Sequence, residues 1–255
     1  MLIDSHAHLY DKWFDKDRDK VIRGMKKDGI ELTIVSGSSV LSAVKAIELA
    51  NRYDCIYATI GVHPNNTDTM DSETLDTIRE LSQNKKVIAI GECGLDYHYD
   101  YSPKDVQKKW FIEQIRLAKE LKLPVVVHDR EANIDTYEIL KSEQDGSLEG
   151  VLHCYSGDAE LASKYVDMGL YISIAGPVTY RSAHKLKEVA KTVPLGYLLI
   201  ETDAPSLPPS QIGKRRNEPA YVRYVAAAVA ELKGIPFERV ALETAKNVKR
   251  LYKIT

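Results

Sequence analysis

The sequence predicts an α/β fold of the (β/α)8 TIM-barrel type, built as a single domain over residues 1–255. Three observations carry that prediction. Short β-branched runs alternate with longer helical patterns from end to end, eight such runs are present, and 255 residues is a usual size for an eight-stranded barrel. In chain order the runs are 2–4, 32–36, 56–62, 87–91, 125–127, 150–152, 171–174 and 197–200. Most are near-continuous in apolar residues, the pattern of a parallel sheet covered on both faces. Between them, segments such as 104–121 and 158–168 repeat apolar residues at helical spacing, with Gly or Pro marking the ends. Eight strand–helix units in one domain favour a closed barrel over an open doubly wound sheet.

Composition narrows the function classes. The 35 Lys and Arg against 37 Asp and Glu give a formal net charge of -2, which argues against the global basic field of a non-specific nucleic-acid binder. Any nucleic acid must be held by local groups. Met1 to His6 lacks the basic-then-apolar run of a secretion signal, and the most apolar stretch, 224–230, is far shorter than a membrane span. A cytoplasmic protein with no membrane partner and no obligate protein partner is expected. Cys55, Cys93 and Cys154 are odd in number and show no CxxC spacing, so neither a disulfide framework nor a thiolate zinc site is indicated. No GxGxxG or GxxxxGK[ST] loop is present, which removes the usual signature of nucleotide cofactors.

Potential metal ligands fall at the C-terminal ends of the strands, the face on which barrel enzymes build their sites. His6 and His8 stand two apart in extended chain, so both imidazoles can face one ion. Alone, this pair reads equally well as two loop histidines. Glu92 ends the fourth run, His128 the fifth, His153 the sixth, and Asp203 follows the eighth. A buried charged group at a strand end is costly unless paired or metal-bound, and six together are hard to assign to isolated ion pairs. Six donors suit two divalent ions. Glu92 bridges with its two oxygens, His6, His8 and Asp203 complete one shell, and His128 and His153 complete the other. Such a centre suits the in-line cleavage of phosphate esters, with Asp203 the group to take the proton of the attacking water.

These residues lie in motifs that resemble the TatD family of metal-dependent deoxyribonucleases, within the amidohydrolase-like barrels. The resemblance runs from Asp4-Ser5-His6-Ala7-His8-Leu9 through Gly61-Val62-His63-Pro64, Gly91-Glu92-Cys93-Gly94-Leu95-Asp96-Tyr97, His128-Asp129-Arg130-Glu131-Ala132 and His153-Cys154-Tyr155-Ser156-Gly157. It continues to Glu201-Thr202-Asp203-Ala204-Pro205 and Arg216-Asn217-Glu218-Pro219. It implies that His6, His8, Glu92, His128, His153 and Asp203 are the ligands. It also implies hydrolysis of DNA ends, as a 3′-to-5′ exonuclease acting on single strands with magnesium or manganese. Four imidazoles suit zinc better than magnesium, so zinc is a possible bound metal. Lactone- and cyclic-amide-opening relatives typically bridge their metals with a modified lysine on the fourth strand. Here Glu92 holds that strand end, and Lys85 and Lys86 lie at the other.

Three departures from the family pattern bear on substrate rather than chemistry. Asn65 stands where many relatives carry a second histidine, Pro205 to Pro209 lack a common aromatic residue, and Tyr155 replaces a common phenylalanine. Around the centre, His63 is placed to contact a phosphate or to donate a proton to the leaving oxygen, with a second-layer role nearly as plausible. Asn65 stands beside it as a substrate contact. Arg130 offers a fork for phosphate oxygens, or pairs with Glu131 or Asp129. Lys214, Arg215 and Arg216 form a basic patch for the DNA backbone, or a solvated loop. Tyr97, Tyr99 and Tyr101 stack bases at the rim, or pack. His98 and His184 read as surface residues, and Cys93 and Cys154 are expected to point away from the ligands. Two competing readings remain at this level: a small-molecule amidohydrolase or lactonase on the same barrel, and a binding module braced by metal.

Overall fold

Eight strands carry the architecture: β1 (Leu2–Ala7), β2 (Ile30–Ser36), β3 (Ile56–Ile60), β4 (Val87–Asp96), β5 (Val125–Arg130), β6 (Gly150–Leu152), β7 (Tyr171–Ile174) and β8 (Leu198–Ile200). The computed structural model describes residues 1–99 and 101–254. Each strand pairs in parallel with the next, in the sheet order β1 to β8. Helices α1 (Arg18–Gly24), α2 (Val40–Arg52), α3 (Ser72–Leu81), α4 (Lys104–Leu121), α5 (Asn133–Glu143), α6 (Ala159–Asp167), α7 (His184–Thr192), α8 (Val222–Lys233) and α9 (Phe237–Leu251) follow the strands. The protein is a (β/α)8 barrel. Among the described residues, no helix is long and apolar enough to cross a membrane.

Local chemistry explains why the helices start where they do. Ser39 and Asp71 cap α2 and α3 through reciprocal boxes with Ser42 and Thr74, and Asp158 caps α6 through Leu161 N. The segment expected at 158–168 is therefore the helix together with its two caps.

Period two along the strands sorts the barrel interior into an apolar floor and a polar mouth. Ile34, Val126, Val151 and Leu199 belong to one buried cluster, which Val248, Leu251 and Tyr252 at the end of α9 join. Two residues further along the chain stand Ser36 and His128, within their strands, and His153 and Glu201, one residue past theirs. The rows that fill the interior thus become the rows that furnish the site.

Sheet closure between β8 and β1 rests on few backbone bonds. Ala7 and Ala204 form an isolated parallel bridge, His8 N donates to Ala204 O, and Asp203 N donates to His6 O. Side chains complete the seam: Thr202 donates to Asp4 through N (2.8 Å) and Oγ1 (2.6 Å), and Ser5 Oγ donates to Ile200 O.

Candidate metal centre

Two strands run further than the sequence pattern suggests, and the extension places the ligands. β4 continues past Gly91 to Asp96, so Glu92 lies inside a strand whose ten residues are all buried, and β5 continues through His128 to Arg130. Gly91 (φ +139°) and Gly94 (φ +142°) make this possible. A Cβ on Gly94 would lie 2.0 Å from His128 O, and one on Gly91 would lie 2.5 Å from Val126 O. Close approach of β4 to β5 brings Glu92 beside His128.

Glu92 sits between two sets of histidines. Its Oε2 lies 3.6 Å from His6 Nε2 and 3.7 Å from His8 Nε2. Its Oε1 lies 2.9 Å from His128 Nδ1, 2.9 Å from His153 Nε2 and 3.4 Å from His63 Nε2. Asp203 closes the first set, with Oδ1 3.3 Å from His8 Nε2 and 3.9 Å from His6 Nε2. The two imidazole nitrogens of His6 and His8 are themselves 3.3 Å apart. For metal–ligand bonds of about 2.0–2.1 Å, the edge of a tetrahedron is about 3.4 Å. The donor spacings therefore fit a divalent ion, and His6, His8 and Asp203 form one group able to hold it. A second such group is His63, Glu92 and His128, and a third is His6, His153 and Glu201. All six ligands expected from the sequence meet in one cluster, and His63 joins them.

Burial opposes charge here, and the neighbours decide the outcome. Burial pushes the Glu92 carboxyl up, yet the surrounding imidazoles hold it well below the ordinary carboxylate range. Asp203 is held down in the same way, chiefly by His8. Burial lowers His153, but Glu92 and Glu201 raise it to about 10. Burial takes His63 down to about 3, so its imidazole is neutral at pH 7. Asn65 N donates to His63 Nδ1, which leaves the proton on Nε2, facing Glu92. His63 is thus placed to donate a hydrogen bond through Nε2.

Behind the ligands stands a layer that sequence reasoning missed. Asp96 Oδ2 lies 3.1 Å from His128 Nε2, Glu201 Oε1 lies 3.4 Å from His153 Nδ1, Ser36 Oγ lies 3.1 Å from His6 Nδ1, and Ser36 O lies 2.9 Å from His8 Nδ1. The alternation that groups His6 with His8 also groups Glu201 with Asp203, so this signal was available.

The centre opens into a cavity of about 1220 Å³ whose wall includes His63, Asn65, Arg130 and Asp203. Asn65 Oδ1 is buried there without a hydrogen-bond partner among the described residues. His184 is exposed but reaches the cavity wall beside Lys185. Cys154 also lines the wall, contrary to expectation, because its backbone turns left-handed at φ 43° two residues after the end of β6. Cys93 is buried away from the mouth, as the alternation requires. Arg216 does not reach the cavity. Its guanidinium is spent on Asp17 (2.7 and 2.8 Å), Glu218 (2.8 Å) and Trp13 O, stacked over Phe14. Tyr97 packs, donating its hydroxyl to Asp135 at 2.6 Å.

Comparisons with known proteins agree with this geometry. The TatD related DNase family model matches residues 3–253. The chain is 47% identical to YabD of Bacillus subtilis (strain 168), an uncharacterized metal-dependent hydrolase, over 100% of both proteins. It is 37% identical to the 3′-5′ ssDNA/RNA exonuclease TatD of Citrobacter koseri, over 99% of both. Among solved structures, YJJV, a TatD homolog from Escherichia coli K12, superposes with a TM-score of 0.94 at 29% identity, covering 100% of this chain and 98% of that one. Full-length agreement in sequence and in barrel geometry leads to one conclusion: the chain belongs to the TatD family and is a metal-dependent hydrolase.

Proposed function

We propose that this hydrolase removes nucleotides from the 3′ ends of single-stranded DNA at a centre of two divalent ions, magnesium or manganese in action and zinc as a possible resident. The observation that carries the reading is the division of Glu92. One oxygen faces His6 and His8, the other faces His128 and His153, so a single carboxylate serves two donor sets. Ions bound there would polarise an attacking water and the phosphodiester oxygens. Asp203, ionised and at the cavity wall, accepts the proton of that water on its carboxylate. His63 Nε2–H donates a hydrogen bond to a phosphate oxygen, Asn65 offers its free Oδ1 to the terminal sugar, and Arg130 places its guanidinium against the phosphate. The name of the Citrobacter relative supports a nucleic-acid substrate.

The test is end-labelled single-stranded DNA incubated with pure protein, with metal content measured on the same preparation. Stepwise shortening that stops on chelation, and falls at least a hundredfold in Asp203→Asn, is expected. Turnover of lactones or cyclic amides without cleavage of any DNA or RNA oligomer would replace this reading with the small-molecule one.

A further inference from the structure

Two tyrosines at the rim serve neither the fold nor the centre. Tyr101 is 66% exposed and Tyr99 41%, although both are large and largely apolar. Their rings stack on each other, 5.3 Å between centroids and 24° apart in plane. Arg130 lies over the Tyr99 ring at 4.9 Å and also lines the cavity. Among the described residues, no carboxylate pairs with its guanidinium. Arg130, Tyr99 and Tyr101 are therefore continuous from the wall of the centre to solvent.

Tyr99 is also tied to the centre through its backbone. One oxygen of Asp96 accepts from His98 N (3.0 Å) and Tyr99 N (3.2 Å), and its other oxygen faces the His128 ring. Tyr97 N donates to Arg130 O at the end of β5, and His98 pairs with Glu131 at 2.7 Å. The backbone leading into the stack is thus tied to a metal-ligand histidine and to the strand that carries Arg130.

We propose that Tyr99 and Tyr101 form a stacking platform for the nucleobases of a single strand whose terminal phosphodiester lies at the metal centre, with Arg130 holding the phosphate between. The proposal rests on the phosphodiesterase reading above and adds a subsite to it. Flat aromatic faces take any base by its π-face, and a cation beside them matches the backbone. Bases inside a duplex are stacked on their neighbours and have no free faces to offer, so the platform selects single strands. It also supplies locally the attraction that a net charge of -2 does not.

The probe is a cleavage-resistant phosphorothioate octathymidine, with an abasic octamer of the same backbone as control. Affinities are read by fluorescence anisotropy on the metal-loaded full chain. Tyr101→Ala and the Tyr99→Ala/Tyr101→Ala pair should weaken octathymidine binding about tenfold, whereas the abasic octamer should bind wild type and variants alike. Tyr101→Trp should keep wild-type affinity for octathymidine. Equal octathymidine affinities in wild type and the double variant would overturn the platform, as would equal losses on both probes. Cleavage of unmodified octathymidine by the wild type reports separately on the nuclease reading, so either idea can fail without the other.

Discussion

Glu201 shows how much of the centre depends on residues that need not touch an ion. Its Oε1 accepts from Cys154 N at 2.6 Å and lies 3.4 Å from His153 Nδ1, while its Oε2 accepts from Ser173 Oγ at 2.5 Å. Fixed on two sides, the carboxylate stands behind His153 and raises the basicity of its ring, although Nδ1 makes no hydrogen bond among the described residues. A carboxylate behind a ligand histidine is commonly worth about ten- to a hundredfold in metal affinity. Glu201→Gln gives one oxygen position an N–H, which cannot accept from both Cys154 N and Ser173 Oγ. Its metal affinity should fall by about that factor, read by competition with a fluorescent chelator. A change of less than twofold would show that His153 needs no such support. Sequence reasoning passed over Glu201 because a charge one position from the end of an apolar run has many explanations, although its spacing from Asp203 put both on one face.

At the scale of elements, β4 is the organising piece. Its strand pattern was legible only to Gly91, because two glycines in a short run read as an ending. The structure turns that reading round: Gly91 and Gly94 let β4 continue against β5, where any side chain would strike the neighbouring backbone. β6, β7 and the ligand types at successive strand ends were legible because apolar runs and donor residues are local signals. The course of β4 beyond Gly91 was not, since it is fixed by a neighbouring strand remote in sequence. Within the basic patch at Lys214 to Arg216, Arg216 was illegible for a related reason: Asp17 and Glu218, which engage it, come from a distant loop and the next turn. Gly94→Ala combines a Cβ 2.0 Å from His128 O with a φ of +142° that L residues avoid. It should destabilise the fold by about 3 kcal/mol or more and displace His128. Denaturant unfolding measures the first effect and metal titration the second. A loss below about 1 kcal/mol would mean that β4 has freedom to move aside.

For the whole molecule, the seam between β8 and β1 joins closure of the barrel to assembly of the site. His6 and His8 lie on one side of it and Asp203 on the other, and few backbone bonds cross it. Asp4 is, with Ser5, a buried side chain that ties the two sides, accepting from Thr202 N and Oγ1. Burial pushes its carboxyl up to about 8 despite those bonds, with the charge of Glu201 adding to the rise. The sign of the consequence follows from proton counting. Between about pH 4 and 8 the folded chain keeps a proton on Asp4 that the unfolded chain has released, so stability falls as pH rises through that window. Asp4→Asn keeps the shape and the amide can still meet Thr202, but it cannot ionise. In chelator, the stability of Asp4→Asn relative to wild type should therefore climb with pH by at most about 1.4 kcal/mol for each pH unit, levelling off above about 8. Urea unfolding at pH 5, 6, 7 and 8 measures the slope. A difference constant across that range would mean that Asp4 is ionised throughout, and that the seam holds a full negative charge beside Thr202.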